Sequence, residues 1–161
     1  MTGAYDEYRI PTNSLEVEIL TADGRTFRGR VFLPDVAATH RGPMRAAEWM
    51  NEPTAFFPFV PDDGSGAVLL NRSEVLAFTV AAEADADLDD PEGVGGKRRG
   101  VIVECGDRRF AGEIVIDMPP HQRRPSDFLN RPDPFLIVEE GSRHHLIRKA
   151  RITRILDSKE S

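Results

Sequence analysis

Apolar and polar residues alternate along much of this chain. LEVEIL (15–20) and TFRGRVFL (26–33) place apolar side chains at every second position, the period of a strand with one face buried. Short apolar runs follow at AFFPFV (55–60), AVLLN (67–71) and EVLAFTV (74–80). Past residue 100 the series returns as GVIVEC, RFAGEIVI, PFLIVEE, HHLIR and RITRIL. The pattern predicts five short strands in each half. Asp23–Gly24 is a type I′ hairpin signal between the first two strands, and Gly106–Asp107 serves the second series. Gly29 and Gly112, each inside a second strand, mark a bulge or a sharp bend, which a small barrel needs in order to curl.

The two series match in three blocks. Phe27, Gly29, Val31 and Leu33 stand opposite Phe110, Gly112, Ile114 and Ile116. RAAEWMNEPTAFFPF (45–59) stands opposite RPSDFLNRPDPFLIV (124–138). Leu69, Leu70, Val75 and Phe78 stand opposite Leu146, Ile147, Ile152 and Ile155. The offset drifts from 83 to 79 to 77, so the length differences fall between blocks, where insertions are tolerated. The expected fold is therefore mostly β: two tandem copies of a small five-stranded bent barrel with short helical turns. Residues 1–80 form the first copy and residues 101–161 the second. Residues 81–100, acidic, rich in small side chains and containing Gly-Gly, form a linker.

The middle block has a structural explanation. Arg45 and Glu48, like Arg124 and Asp127, stand three apart, the reach of an ion pair across one helical turn. Trp49 and Phe128 supply apolar plugs for one end of a barrel. Ser126 is suited to cap the second turn. Asn51 and Asn130 would end each turn, because Asn tolerates the left-handed conformation. Pro53 and Pro132 push the preceding residues into extended geometry and launch the next strand. The functional alternative is that Asn51 and Asn130 present their amides to a ligand.

The order RRFAGEIVID, DFLN, PFLIV and HLIRKARITRI resembles the Sm-like barrels, which carry a glycine-containing strand, an acid followed by hydrophobics and Asn, and a hydrophobic-Arg segment before the last strand. That resemblance implies RNA-base binding in a ring of subunits, with Asn130 and Arg148 as the candidates in the second copy. Asn51 and Arg72 are their counterparts in the first, Arg72 one position late. Lys149 follows Arg148 where the family carries Gly, and joins the candidate set. The bent five-stranded layout equally resembles the SH3-type barrel, and the tandem phrase resembles a bacterial domain type to which no function attaches. RRPSD (123–127) is similar to the PilZ arginine motif, but the downstream acid-x-Ser-x-x-Gly element of that family is missing.

Composition narrows the chemistry. Hydrophobic content of 40% and charged content of 30% suit a soluble globular chain. No apolar run approaches the roughly 20 residues needed to cross a bilayer, so no membrane insertion is expected. The first ten residues hold two acids and no leader-like apolar core, and a cytoplasmic location is the expectation. The net charge of −6 is uneven. Residues 1–96 carry 7 Lys/Arg against 17 Asp/Glu, and residues 97–161 carry 14 against 10. A basic half joined to an acidic one suggests a preferred partner, or halves that face each other. The single Cys105 offers neither a disulfide nor a paired metal ligand. Adjacent His144 and His145 on a strand face opposite ways, so a metal site would need one of them with His121 and Asp117; none is expected. No nucleophile–base constellation or phosphate loop appears, and neither an enzyme nor a cofactor is expected. The expected function is a non-enzymatic adaptor or assembly module that binds a protein partner or self-associates, with RNA binding through the basic second copy as the alternative.

Overall fold

The computed structural model describes residues 12–34, 46–82, 97–116 and 125–158. The first five strands are β1 (Thr12–Thr21), β2 (Thr26–Pro34), β3 (Phe56–Pro61), β4 (Val68–Asn71) and β5 (Val75–Ala81). The second five are β6 (Lys97–Cys105), β7 (Arg108–Ile116), β8 (Phe135–Glu140), β9 (Arg143–Arg148) and β10 (Arg154–Asp157). One-turn helices α1 (Ala46–Met50) and α2 (Pro125–Leu129) precede β3 and β8. Single 3-10 turns at Arg72–Glu74 and Lys149–Arg151 lead toward β5 and β10.

The strands form one antiparallel sheet in the order β10-β6-β7-β8-β9-β5-β1-β2-β3-β4. The mostly-β expectation holds. The sheet is nonetheless open and continuous: neither half closes on itself by pairing β4 with β5 or β9 with β10, and β9 pairs with β5 of the other half instead. Within each half the strand order is the same, and so is the register. Val17↔Gly29 becomes Val101↔Gly112, Arg30↔Val60 becomes Glu113↔Glu139, and Phe57↔Leu70 becomes Leu136↔Ile147.

The strand glycines explain how each half curls. β2 passes Gly29 in regular register with β1, so no bulge is present. A Cβ on Gly29 would lie 2.2 Å from the Val60 carbonyl oxygen, and one on Gly112 would lie 2.4 Å from that of Glu139. Glycine is needed because β3 and β8 cross there too closely for any side chain. Beyond that crossing β2 and β3 share only Gly29↔Pro61 and Arg30↔Val60, the narrow pairing of a sharp bend.

Several local expectations change. Lys97–Gly100, expected in the linker, is the start of β6 and pairs with Glu113–Ile116. A charged tetrapeptide next to Gly-Gly has no strand signature of its own, so this strand start is not legible locally. At the first hairpin only Gly24 has positive φ (91°), so the turn is not type I′; Thr21 N–H donates to Arg25 across a longer loop. Gly106 (φ 63°) takes the first of two loop positions, where a II′ turn puts glycine. No described non-glycine residue has positive φ, so Asn51 and Asn130 do not use the left-handed conformation. Their amides continue each helical turn, donating to Ala47 and Ser126. Ser126 lies inside α2 rather than capping it. Arg45 and Arg124, with the ion pairs expected of them, lie outside the described residues, as do His121 and Asp117.

Two apolar cores result. The first gathers Val17, Ile19, Val31, Trp49, Met50, Phe57, Phe59 and Phe78 with Phe135 and Leu146 from the second half. The second gathers Val101, Val103, Cys105, Ile114, Ile116, Leu136, Val138 and Ile147 with Leu20, Leu76 and Ala77 from the first. Trp49 of α1 is buried in the first core and meets Phe57 edge-on at 5.0 Å. Along β8 and β9 alternate residues face different cores, so these strands are covered on both sides where the halves join.

Candidate functional site

The junction between halves is the β5·β9 ladder, with Ala77↔Ile147, Phe78↔Leu146, Thr79↔His145, Val80↔His144 and Ala81↔Arg143. β5 can occupy a doubly covered position because VLAFTV is apolar everywhere but Thr79, whose hydroxyl is hydrogen-bonded; all but the last residue of the strand is buried. The ladder is reinforced by polar bonds. His145, buried, places Nδ1 2.8 Å from Thr79 Oγ1 across the junction and Nε2 2.7 Å from Glu140 Oε1. A neutral ring satisfies both, accepting from the hydroxyl and donating to the carboxylate. Thr79 is itself buried and Phe110 lies 5.3 Å from the ring, so this hydroxyl–imidazole–carboxylate chain ties β5, β8 and β9 together. His144 turns the other way, its Nε2 3.9 Å from Glu139, as expected of adjacent strand residues.

A groove of about 580 Å³ crosses the outer face of the junction, lined by Glu18, Arg28, Thr79, Arg108, Glu140 and Arg143 among others. Its charges are largely paired within it: Glu18 takes Arg28 at 2.8 Å and Arg143 of the other half at 3.2 Å. Among the described residues no group of three His, Cys, Asp or Glu could hold a metal ion. No helix of the described residues is long and apolar enough to cross a membrane.

The five candidate binding residues do not converge on one surface. Arg72 is buried; its guanidinium donates to the Thr54 and Trp49 carbonyls at 2.8 and 2.9 Å and lies 4.8 Å from the Trp49 ring. Burial pushes its pKa below the ordinary arginine value. Arg148 is half-buried and reaches across the junction to the carbonyls of Val75 and Arg72, with its guanidinium 4.6 Å from the Phe135 ring. Both guanidiniums are therefore spent on the fold. Lys149 Nζ donates to the Arg131 carbonyl at 3.0 Å, beside the exposed Asn130. Asn51 places its Oδ1 in a buried spot with no hydrogen-bond partner. Pro53 and Pro132 are exposed where strands β3 and β8 are launched, and Phe128 packs partly buried on the second core.

Sequence reasoning allows for exposed strand edges but does not say which strands carry them. Leu146 and Ile147 of β9 correspond to Leu69 and Leu70 of β4, yet Leu146 is fully buried whereas Leu69 is 68% exposed. Phe135 is 5% exposed and its counterpart Phe56 56%; His145 is 6% exposed and its counterpart Val68 40%. β4 ends the sheet on one side and β10 on the other. The edge strand Val68–Asn71 is short, four residues, but carries neither charge nor proline, two of the devices that protect edges. The signal was present in the alignment of AVLLN with HHLIR, but only the strand order shows which of the two is covered. No family model, curated protein or solved structure matches the chain.

Proposed function

We propose that this chain is a non-enzymatic assembly module, built by duplication of a small Sm-like or SH3-like five-stranded unit, that binds other protein through the free edges of its sheet. One observation carries the reading: β4 leaves exposed the apolar side chains whose counterparts in β9 are buried by an added strand. An exposed apolar edge is a template for pairing with another chain, where main-chain hydrogen bonds supply affinity and alternate side chains supply selectivity. The shared register of the two halves supports the duplication, and Gly29 and Gly112 support a common bent unit. The alternative, RNA binding, loses two of its residues to internal bonds, since Arg72 and Arg148 are engaged by main-chain carbonyls.

The test is a photo-reactive phenylalanine analogue placed at Leu69 of the full chain in living cells, with the same substitution at exposed Arg28 as a control. Covalent adducts to protein at position 69 and not at position 28 are expected. Absence of adducts at 69 overturns the reading, and salt-sensitive binding of mixed RNA oligomers that Asn130→Ala and Lys149→Ala abolish would replace it.

A further inference from the structure

Resting on that reading, we propose that the strand accepted by β4 is β10 of a second copy of this chain, so that copies join head to tail by repeating the junction already present inside each one. The two free edges are of different kinds. β4 occupies the place in its half that β9 occupies in the other, and β10 the place of β5. The pair that meets inside the chain, β9 with β5, is the pair left unmade at its ends.

The internal register fixes the external one. Carrying Ala77↔Ile147, Phe78↔Leu146 and Thr79↔His145 over by the offset of 77 pairs Arg154 with Leu70, Ile155 with Leu69 and Leu156 with Val68. Two exposed apolar side chains of β4 thus meet the two apolar residues of β10, which are only partly buried along their own edge. The Thr79–His145 hydrogen bond would be replaced by a Leu156–Val68 apolar contact. Phe56 would gain the cover that Phe135 has in the internal junction, where Phe135 packs into the core of the neighbouring half. Charge favours the same partner. Residues 1–96 carry 17 acids against 7 basic residues, and residues 97–161 carry 14 basic residues against 10 acids. Every head-to-tail contact therefore brings a basic half to an acidic one. A head-to-tail contact leaves two edges open after each addition, so the assembly grows beyond the dimer into a ring or a filament.

The experiment uses the full chain carrying Leu69→Cys and Ile155→Cys; the native Cys105 is buried. These positions lie on opposite edges of the sheet, with eight strands between them. Oxidation is expected to give a ladder of disulfide-linked multiples, with either single variant giving at most dimers and the off-register pair Leu69→Cys with Asp157→Cys giving a several-fold lower yield. Sedimentation of the unmodified chain is expected to show a concentration-dependent mass above the dimer, and Leu69→Asp to raise the dissociation midpoint at least about tenfold with an unchanged circular dichroism spectrum. A monomer at every concentration, a dimer that grows no further, a disulfide within one chain, or equal yields in both registers overturns the proposal. Photo-adducts at position 69 to a different protein would leave the edge reading standing while overturning self-pairing.

Discussion

Strands β9 and β4 hold the same place in their halves and pair in the same register with the strand before them, yet β9 is buried on both faces and β4 lies open. The difference does not come from local hydrophobicity, since the open VLLN is more apolar than the covered HLIR. It comes from what lies on the far side: β9 has β5, and β4 has no further strand among the described residues. Burial here is a property of neighbours. The residues that distinguish the two strands follow from it. His145 and Arg148 of β9 bond across to Thr79, Val75 and Arg72, whereas at β4 the corresponding Val68 is exposed and Asn71 folds back to cap its own turn through the Ser73 amide.

Truncation at the equivalent leucines breaks the comparison most sharply. Leu146→Ala should cost about 4 kcal/mol in urea denaturation of dilute protein, because it empties a packed site. Leu69→Ala should cost less than about 0.5 kcal/mol under the same conditions. Equal losses would show that β4 is covered in the free chain. Next, Gly112→Ala and Gly29→Ala should each cost about 3 kcal/mol, since the new Cβ meets a main-chain oxygen that cannot move aside. Comparable unfolding midpoints for the pair would place the same crossing in both halves, and a silent variant would remove it from one.

Smaller effects test the polar seam. Arg148→Met should lose about 2 kcal/mol by stranding the Val75 and Arg72 carbonyls, and Arg148→Lys should not restore it, as one ammonium cannot reproduce a planar fork. Thr79→Val should cost about 1 kcal/mol through the lost bond to His145, read as a shift in thermal midpoint. The smallest effect is at the other edge. Glu104 is held below the usual carboxylate range, first by its hydrogen bond from Arg154 and then by the charges of Arg154 and Arg109. A lowered folded pKa means stability that is present above the unfolded value and lost as pH falls through the folded one. The urea midpoint of the unmodified chain should therefore fall more than that of Glu104→Gln as the pH drops from 6 toward 3. Parallel declines would show that the ion pair does not hold β10 to β6.

Much of the strand pattern was legible because apolar periodicity is local. All five strands of each half fall where alternation or an apolar run placed them, and the one-turn helices fall on the repeated phrase. Local signals also misled where two conformations share a composition. The dipeptide at Asp23–Gly24 suits more than one turn, and KRRG looks like linker until β7 offers it a partner. The charge of the candidate arginines is visible in a sequence, while the carbonyls that take their hydrogens come from residues up to 76 positions away.

By itself, then, the sequence determined the strand count, the positions of the helical turns, the glycine in each second strand and the block-by-block correspondence of the halves. These depend on side-chain alternation and on steric room at single residues. Only the tertiary structure decided that the halves share one open sheet, that β9 rather than β4 is covered, and that Arg72 and Arg148 serve the fold. Strand edges carry the same unpaired main-chain groups whatever the side chains, so which edge meets which is settled by topology.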